Sequence, residues 1–152
     1  MLNCLANRDC SYFLNNRDSK FDQQDLITKE FNKNFIPPNY FQAWLSGFIE
    51  AESHFPVYTV NGQMKPKSFL IGQNNDLYII EAIKTYLKSH NKITLDKKTI
   101  NNVPHYRIYI YGKDVREILY HHFLSYPLIG YKNCQYKEWI SLDERFKNSN
   151  DY

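Results

Sequence analysis

The sequence has few cysteines, no long apolar run and no short compositional repeat, and each absence excludes a class of protein. Its three cysteines, Cys4, Cys10 and Cys134, are too few and too scattered for a disulfide framework or a zinc site. No run of 18 apolar residues exists, and charges occupy the N-terminus where a signal peptide has its apolar stretch. We therefore expect no membrane span, no secretory signal and no membrane partner. Five glycines and six prolines, without a short period, exclude fibrous and proline-rich classes.

The composition is that of a folded domain encoded by AT-rich DNA. Hydrophobic residues make up 43% of the 152 residues and aromatic residues 16%, which is enough for a core. Phe, Tyr, Ile, Asn and Lys have the codons richest in A and T, and they account for 67 positions, a bias common in organelle genomes. The polar, Asn-rich start predicts a poorly ordered arm over 1–36, followed by one domain over 37–147 and a tail over 148–152.

The excess positive charge lies in the middle of the chain. The net charge is +3, but residues 54–111 alone carry +5, residues 1–53 carry −2 and residues 112–152 are neutral. Aromatic residues are interleaved with the cations of the middle segment. This pattern is typical of a surface that binds nucleic acid, and a solvated charged face is the ordinary alternative.

The helix predicted over 40–52 has one face almost free of side chains. Glycine inside a helix costs about 1 kcal/mol relative to alanine, so this face needs a compensating reason. Close approach of a second helix supplies one, because small residues let helix backbones come near each other. The helix also ends in two carboxylates, against the electrostatic preference of a helix C-terminus. The small residues are Ala43, Ser46, Gly47 and Ala51, and the carboxylates are Glu50 and Glu52.

Periodicity predicts one α+β domain in the order αββαββα, with a four-stranded antiparallel sheet and an additional C-terminal helix. Asn39 is the predicted N-cap of the first helix, and Gln42 is its capping-box partner. The first strand contains Pro56 and is therefore predicted at a sheet edge, before a turn at Asn61-Gly62. The strands are predicted at 54–60, 65–73, 92–98 and 105–110, and the later helices at 76–89, 113–123 and 133–147.

Polar residues alternate along the predicted hairpins and give the sheet a polar outer face. The major groove of DNA admits a two-stranded ribbon, so this face is a candidate for nucleic-acid contact. A solvated sheet face is the alternative. The candidate contact residues are Lys65, Lys67, Lys92, Thr94, Lys98, His105, Arg107 and Tyr109.

Residues 45–53, Leu-Ser-Gly-Phe-Ile-Glu-Ala-Glu-Ser, resemble the motif of the LAGLIDADG homing endonucleases. Residues 39–44 and Phe55 are similar to the flanks of intron-encoded members from fungal mitochondria, and 126–132 with Trp139 are similar to the C-terminal signature of the family. The resemblance covers about 37–147, and the predicted order of elements matches the family core. It implies a homing endonuclease that cleaves double-stranded DNA with Mg²⁺ and is located in the mitochondrial matrix.

The resemblance also implies roles for single residues. Glu52 would be the metal ligand, with the Ala51 carbonyl nearby, and Glu50 would be a structural acid at the helix end. Gln73 would position water, and Lys132 would neutralise charge that develops on the phosphate. The implied catalytic residues are thus Glu52, Gln73 and Lys132.

The sequence contains one copy of the motif, whereas the family needs two copies to form its pair of active sites. The resemblance therefore implies a homodimer on a near-palindromic target, with the small-residue face packed at the two-fold axis. The alternative is that the chain pairs with another LAGLIDADG motif helix, as one half of a split or truncated two-motif protein.

Ser53 departs from the family pattern, which has glycine directly after the second acid. We expect the serine to need different or strained backbone angles, at a cost of about 1 kcal/mol. The low net charge is a second departure, because tight DNA binders usually carry more. Both departures favour an alternative function, a catalytically weak or inactive RNA-binding protein. Such a protein would be an intron maturase or a structural component of an organellar ribonucleoprotein such as the mitoribosome.

Overall fold

The computed structural model describes residues 36–96 and 103–147. Within these ranges no helix is both long enough and apolar enough to cross a lipid bilayer. The elements in chain order are α1 (Phe41–Glu52), β1 (Ser53–His54), β2 (Val57–Val60), β3 (Gln63–Pro66), β4 (Phe69–Asn74), α2 (Leu77–Tyr86), β5 (Ile93–Asp96), β6 (His105–Ile110), α3 (Lys113–Ser125) and α4 (Tyr131–Ser141).

Four strands form one antiparallel sheet in the order β1-β4-β6-β5, and β2 pairs with β3 in a separate ribbon. Ser53 lies opposite Ile71, Ile71 opposite Ile108, and Ile108 opposite Ile93. Residues directly opposite each other on antiparallel strands share a face, so this row crosses the inner face of the sheet. The predicted α+β class and the four-stranded antiparallel sheet are confirmed.

The strand predicted over 54–60 is broken in two, and the prediction of one continuous strand is wrong. Phe55 is buried between the two pieces, and Pro56 has no N–H to donate to a neighbouring strand. The chain therefore leaves the main sheet after His54 and forms the ribbon. The turn of the ribbon is at Asn61-Gly62, as predicted, with positive φ angles of 52° and 76°.

The strand predicted over 65–73 is also broken, between β3 and β4. The amide of Lys67 donates to the carbonyl of Pro56 at 2.9 Å, which holds the two crossing segments together. The alternation had predicted that Lys65 and Lys67 share a sheet face with Phe69 and Ile71, and this prediction is wrong. Both lysines are exposed, whereas Phe69 and Ile71 are fully buried.

The helices cover the inner face of the sheet, and Phe55 lies near the centre of the core. Its ring centroid is 5.1 Å from that of Phe69, 5.4 Å from Trp139 and 5.5 Å from Tyr136. The indole Nε1 of Trp139 donates to the carbonyl of Lys67 at 2.9 Å. Helix α4 is thereby attached to the segment between β3 and β4.

Two helix boundaries differ from the predictions. The N-cap of α1 is Tyr40 and makes no side-chain capping bond, so the predicted capping box of Asn39 and Gln42 is wrong. The amide of Phe41 donates instead to the carbonyl of Pro38 at 2.9 Å. Helix α4 begins at Tyr131 and ends at Ser141, earlier at both ends than the predicted 133–147.

The chain after α4 folds back on α3 through Asp143, which is 7% exposed. The Asp143 carboxylate accepts from Arg116 Nε at 2.6 Å and from an Arg145 terminal nitrogen at 3.0 Å. Hydrogen bonding to the Arg145 guanidinium, assisted by Arg116, holds the pKa of Asp143 well below its usual range, and burial opposes this. This ion cluster ends the helix where the periodicity had extended it. The predicted arm at 1–36, apart from Ile36, and the predicted tail at 148–152 lie outside the described residues.

Candidate nucleic-acid interface

Helix α1 has two sides of different character. Leu45 and Ile49 are fully buried against the core, whereas Ala43, Gly47 and Ala51 are exposed. A Cβ added at Gly47 would meet no atom within 4 Å. The three small residues therefore form an open stripe, with Tyr40 and Trp44 exposed beside it.

Ser46, which we expected on this stripe, faces the interior and is 8% exposed. Its hydroxyl donates to the Tyr126 carbonyl at 2.7 Å and lies 3.0 Å from Nε2 of His122. Nδ1 of His122 lies 2.9 Å from the hydroxyl of Tyr86. Because Ser46 uses its proton on Tyr126, it accepts from His122 Nε2–H, and Tyr86 donates to Nδ1.

The hydrogen bonds around His122 thus fit a neutral imidazole, and burial lowers its pKa to about 4. Burial also raises the pKa of Tyr86. Sequence reasoning missed this network because its partners are 36 and 76 residues from His122. A histidine within a helical pattern carries no signal of such distant partners.

Glu50 turns from α1 toward the start of α4. Its Oε1 accepts from the backbone N–H of Lys132 at 3.1 Å, and a Cβ added at Gly130 would overlap its carboxylate. Lys132 is the second residue of α4, so the carboxylate lies at the positive end of that helix, where negative charge is stabilised. Oε2 is buried without a hydrogen-bond partner among the described residues.

Glu52, the last residue of α1, is exposed, and no hydrogen bond or ion pair of its carboxylate occurs among the described residues. Ala51 beside it is also exposed. The two motif acids therefore differ: Glu50 bonds within the fold, and Glu52 is left available at the surface.

Ser53 begins β1 with φ −104° and ψ 170°, an extended conformation that any residue adopts. The backbone strain expected at this serine is therefore absent. Its side chain is buried, and its hydroxyl donates to the Ile49 carbonyl at 2.6 Å. The hydroxyl thus satisfies an acceptor in the last turn of α1 and points into the helix end.

The other two predicted catalytic residues lie near the same end of α1. Ser53 of β1 pairs with Ile71 of β4. Gln73 lies two residues further along β4, about 7 Å from Ile71 at the usual rise of a strand. The side-chain oxygen of Gln73 accepts from the Asn74 amide at 2.8 Å. Lys132 is held by its backbone to Glu50, and its ammonium donates to Gln135 at 3.3 Å. The end of α1 thus gathers residues from three elements.

The outer face of the sheet is polar and electrically balanced. Arg107 donates to Tyr109 at 3.2 Å and pairs with Asp96 at 3.5 Å, and Thr94 donates to the Arg107 carbonyl at 3.1 Å. His105 lies across Gly72, where a Cβ would approach His105 Nε2 to 2.8 Å. Predicted contact residues of this face are therefore connected to one another.

The predicted lysine contacts come from different segments of the chain. Lys65 is exposed on the β2–β3 ribbon, Lys67 in the segment before β4, and Lys92 directly before β5. Lys98 lies outside the described residues. Lys65, Lys67 and Lys92 thus lie outside the strands of the four-stranded sheet.

The described part of the chain contains no group of three His, Cys, Asp or Glu residues placed to hold a metal ion. One exposed carboxylate at Glu52 and the Ala51 carbonyl are hard oxygen donors, the type that Mg²⁺ prefers. They fit a metal site that takes its remaining ligands from outside this chain.

The LAGLIDADG endonuclease family model matches residues 45–142. The chain is 32% identical over 148 residues to a probable intron-encoded endonuclease aI3 of Dictyostelium citrinum, which covers 95% of this chain and 51% of that protein. It is 31% identical over 140 residues to a protein of the same name from Debaryomyces hansenii, with 80% of this chain and 19% of that protein covered. The chain thus spans about half of the first relative and about a fifth of the second.

Two similar solved structures are LAGLIDADG meganucleases bound to uncleaved DNA. I-CpaMI superimposes with a TM-score of 0.56 and 26% identity, over 76% of this chain and 39% of that chain. I-AabMI superimposes with a TM-score of 0.50 and 28% identity, over 72% of this chain and 38% of that chain.

Proposed function

The chain belongs to the LAGLIDADG endonuclease family, and on that basis we propose that it is a site-specific homing endonuclease for double-stranded DNA. The observation that carries the proposal is the contrast between the two motif acids. Glu50 is bonded inside the fold, whereas Glu52 is exposed at the place where β4 and α4 bring Gln73 and Lys132. The DNA-bound state of two similar meganucleases supports duplex DNA as the substrate.

The active form in this proposal is a homodimer that packs through the stripe of Ala43, Gly47 and Ala51. The stripe is exposed, and its central glycine has no contact that would prevent a side chain. Packing two α1 helices through it would bring two copies of Glu52 together at one end. A two-fold arrangement of this kind suits a near-palindromic target.

Mg²⁺ is the proposed cofactor, held by Glu52 and the Ala51 carbonyl of each subunit. When bound, it supplies Lewis-acid polarisation of the phosphate and lowers the pKa of a bound water. Gln73 orients water through its side-chain amide, since its oxygen is already bonded to Asn74. Lys132 places a positive charge near the phosphate. Glu50 is structural and fixes the start of α4 to the end of α1.

The outer sheet face and its surrounding lysines contact the DNA in this proposal. Arg107 is held in place by Asp96 and Tyr109, so its guanidinium is oriented before DNA arrives. An oriented guanidinium suits the two acceptors of guanine in the major groove. A mitochondrial location completes the proposal, supported by the AT-rich codon bias and by the intron-encoded relatives.

The RNA-binding alternative rested partly on strain at Ser53. Since Ser53 has relaxed backbone angles and a buried hydroxyl bonded to Ile49, that reason is removed. The experiment on cleavage described next also tests the RNA-binding alternative.

The experiment is selection of cleaved sites from a randomised duplex DNA library, with Mg²⁺ in one arm and EDTA in the other. We expect one enriched site, cut only with Mg²⁺, and a dimer mass in sedimentation. Glu52→Gln should reduce cleavage at least about 1,000-fold and retain binding, because it removes the charge that holds the metal. Glu138→Gln, an exposed acid of α4, is the matched control and should cleave like the wild type.

Cleavage that survives Glu52→Gln would refute the assigned metal ligand. Enrichment of intron or ribosomal RNA without any DNA cleavage would refute the endonuclease and favour the RNA-binding alternative. A monomer mass with full cleavage would refute the homodimer. A mass that includes a second protein would favour pairing with another motif helix.

A further inference from the structure

A cavity of about 350 Å³ lies at the end of the sheet away from Glu52, and its lining is rich in hydrogen-bond donors. Its side chains come from β2, from the segment between β3 and β4, and from the start of α3. Ser68 precedes β4, so Gln73 lies about 16 Å from it at the rise of a strand. We call this space the Lys67 cavity; it is lined by Tyr58, Lys67, Ser68, Tyr111, Gly112 and Arg116.

Apart from Nε of Arg116, the side-chain donors of the Lys67 cavity lack acceptors within the described residues. Ser68 is 3% exposed, and its hydroxyl is buried without a hydrogen-bond partner. No acceptor for the Lys67 ammonium or for the Tyr58 and Tyr111 hydroxyls occurs in the described ranges. A buried hydroxyl without an acceptor is costly, so a ligand that accepts hydrogen bonds would be stabilised here.

The charge of the cavity is positive. Both charged residues that line it, Lys67 and Arg116, are cations. Arg116 uses Nε on Asp143, and Arg145 bonds the same carboxylate through two of its nitrogens. The two terminal nitrogens of Arg116 have no acceptor among the described residues. Asp143 is thus shared between two guanidinium groups, and Glu117 accepts a further bond from Arg145 at 3.1 Å, so Lys67 is the cation of the lining that has no ion pair among the described residues.

The N-terminal end of α3 adds to this field. Gly112 lines the cavity and is the N-cap of the 13-residue helix, with no side-chain capping bond. The positive end of the helix dipole therefore faces the same space as the two cations, although Asp114 in the first turn offsets part of it. Cations, hydroxyl donors and a helix N-terminus together suit a tetrahedral oxyanion.

We propose that the Lys67 cavity binds a phosphate group. The ligand has two sources with the same chemistry, a phosphodiester of bound nucleic acid or free inorganic phosphate. Lys67 supplies the charge, Arg116 and the hydroxyls supply directed donors, and Ser68 gains an acceptor. The site is remote from Glu52 and does not depend on cleavage.

The test is a titration of the full chain, labelled with ¹⁵N, with inorganic phosphate, followed through the Ser68 and Gly112 amide resonances. Chloride at matched ionic strength is the reference. We expect saturable shifts with phosphate only, with affinity reduced about tenfold in Lys67→Gln. Lys65→Gln, two residues away and outside the cavity, should bind phosphate like the wild type. Tyr58→Phe removes one hydroxyl from the exposed ribbon and should weaken binding about threefold.

A second arm adds a random-sequence duplex DNA. If it shifts the same two amides and phosphate reverses the shifts, the source is the nucleic-acid backbone; if the amides stay unmoved, the ligand is free phosphate. No saturable shift with either probe would overturn the proposal, as would equal weakening by Lys65→Gln and Lys67→Gln. Glu52→Gln should keep the phosphate shifts, so failure of cleavage and failure of this site are distinguishable.

Discussion

Acidification should destabilise this fold through His122 well above the pH at which carboxylates titrate. The imidazole is 4% exposed, accepts from Tyr86 and donates to Ser46. Protonation at Nδ1 would turn an acceptor into a donor that faces the Tyr86 hydroxyl. The folded chain therefore favours neutral His122, whereas the unfolded chain protonates it freely.

The magnitude follows from the shift of the His122 pKa. Burial lowers it from 6.5 to about 4 in the folded protein. Each unit of pKa difference is worth about 1.4 kcal/mol, so the full loss is about 3 kcal/mol. The sign follows from proton uptake: between these two pKa values the unfolded chain binds more protons, so the free energy of unfolding falls as the pH falls. Stability from this group is complete above pH 6.5, decreases toward pH 4 and changes no further below it.

The assay is urea unfolding of the wild type, His122→Gln and His121→Gln at several pH values from 7.5 to 4. The neighbouring His121 is exposed and serves as the control, so its variant should follow the wild type. His122→Gln should have a flatter pH dependence, with a difference approaching about 3 kcal/mol at pH 4. Carboxylates such as Asp143 are present in all three proteins and cancel in the comparison. Parallel pH curves for the wild type and His122→Gln would refute the reasoning.

Three further changes have expected outcomes. Gly130→Ala should displace the Glu50 carboxylate from the Lys132 amide and cost about 1–2 kcal/mol in urea unfolding; in Glu50→Ala the same change should cost less, and equal costs would contradict the contact. Asp143→Asn should cost about 2 kcal/mol and make the segment after α4 sensitive to protease, since the two arginines lose the negative charge and one acceptor oxygen of the carboxylate; unchanged proteolysis would contradict this. Gly47→Ala should stabilise the monomer by about 1 kcal/mol in dilute unfolding experiments and weaken self-association in sedimentation; tighter association would contradict the proposed stripe.

The sequence predicts the elements of this fold well where one periodic pattern decides them. Buried Leu45 and Ile49 recur at helical spacing, and the Asn61-Gly62 turn has the φ angles that its residue types favour. The breaks in the first two strands follow from tertiary contacts that alternation does not encode. Phe55 is buried, as the alternation predicts. The chain then leaves the main sheet at Pro56, whose carbonyl accepts a hydrogen bond from the backbone N–H of Lys67.

The candidate site was predictable as a location and less so as a set of contacts. The motif and its resemblance place Glu50 and Glu52 at one helix end, and local spacing alone does not separate their roles. The separation arises because Gly130 leaves room for the Glu50 carboxylate at the start of α4, a contact between residues 80 apart in the chain. The partners of Ser46, His122 and Tyr126, are similarly remote in the chain. Ser46, which was predicted for a helix interface, is therefore buried within its own chain.

Two glycines of the structure have different explanations, and the difference bears on the homodimer. Gly130 has an explanation within the chain, because a Cβ there would displace the Glu50 carboxylate. Gly47 has no such reason, since a Cβ there meets nothing, and alanine would suit the middle of α1 better by about 1 kcal/mol. The proposed homodimer would account for that cost through close approach of a second α1 helix, and it would place two exposed Glu52 carboxylates at a shared end.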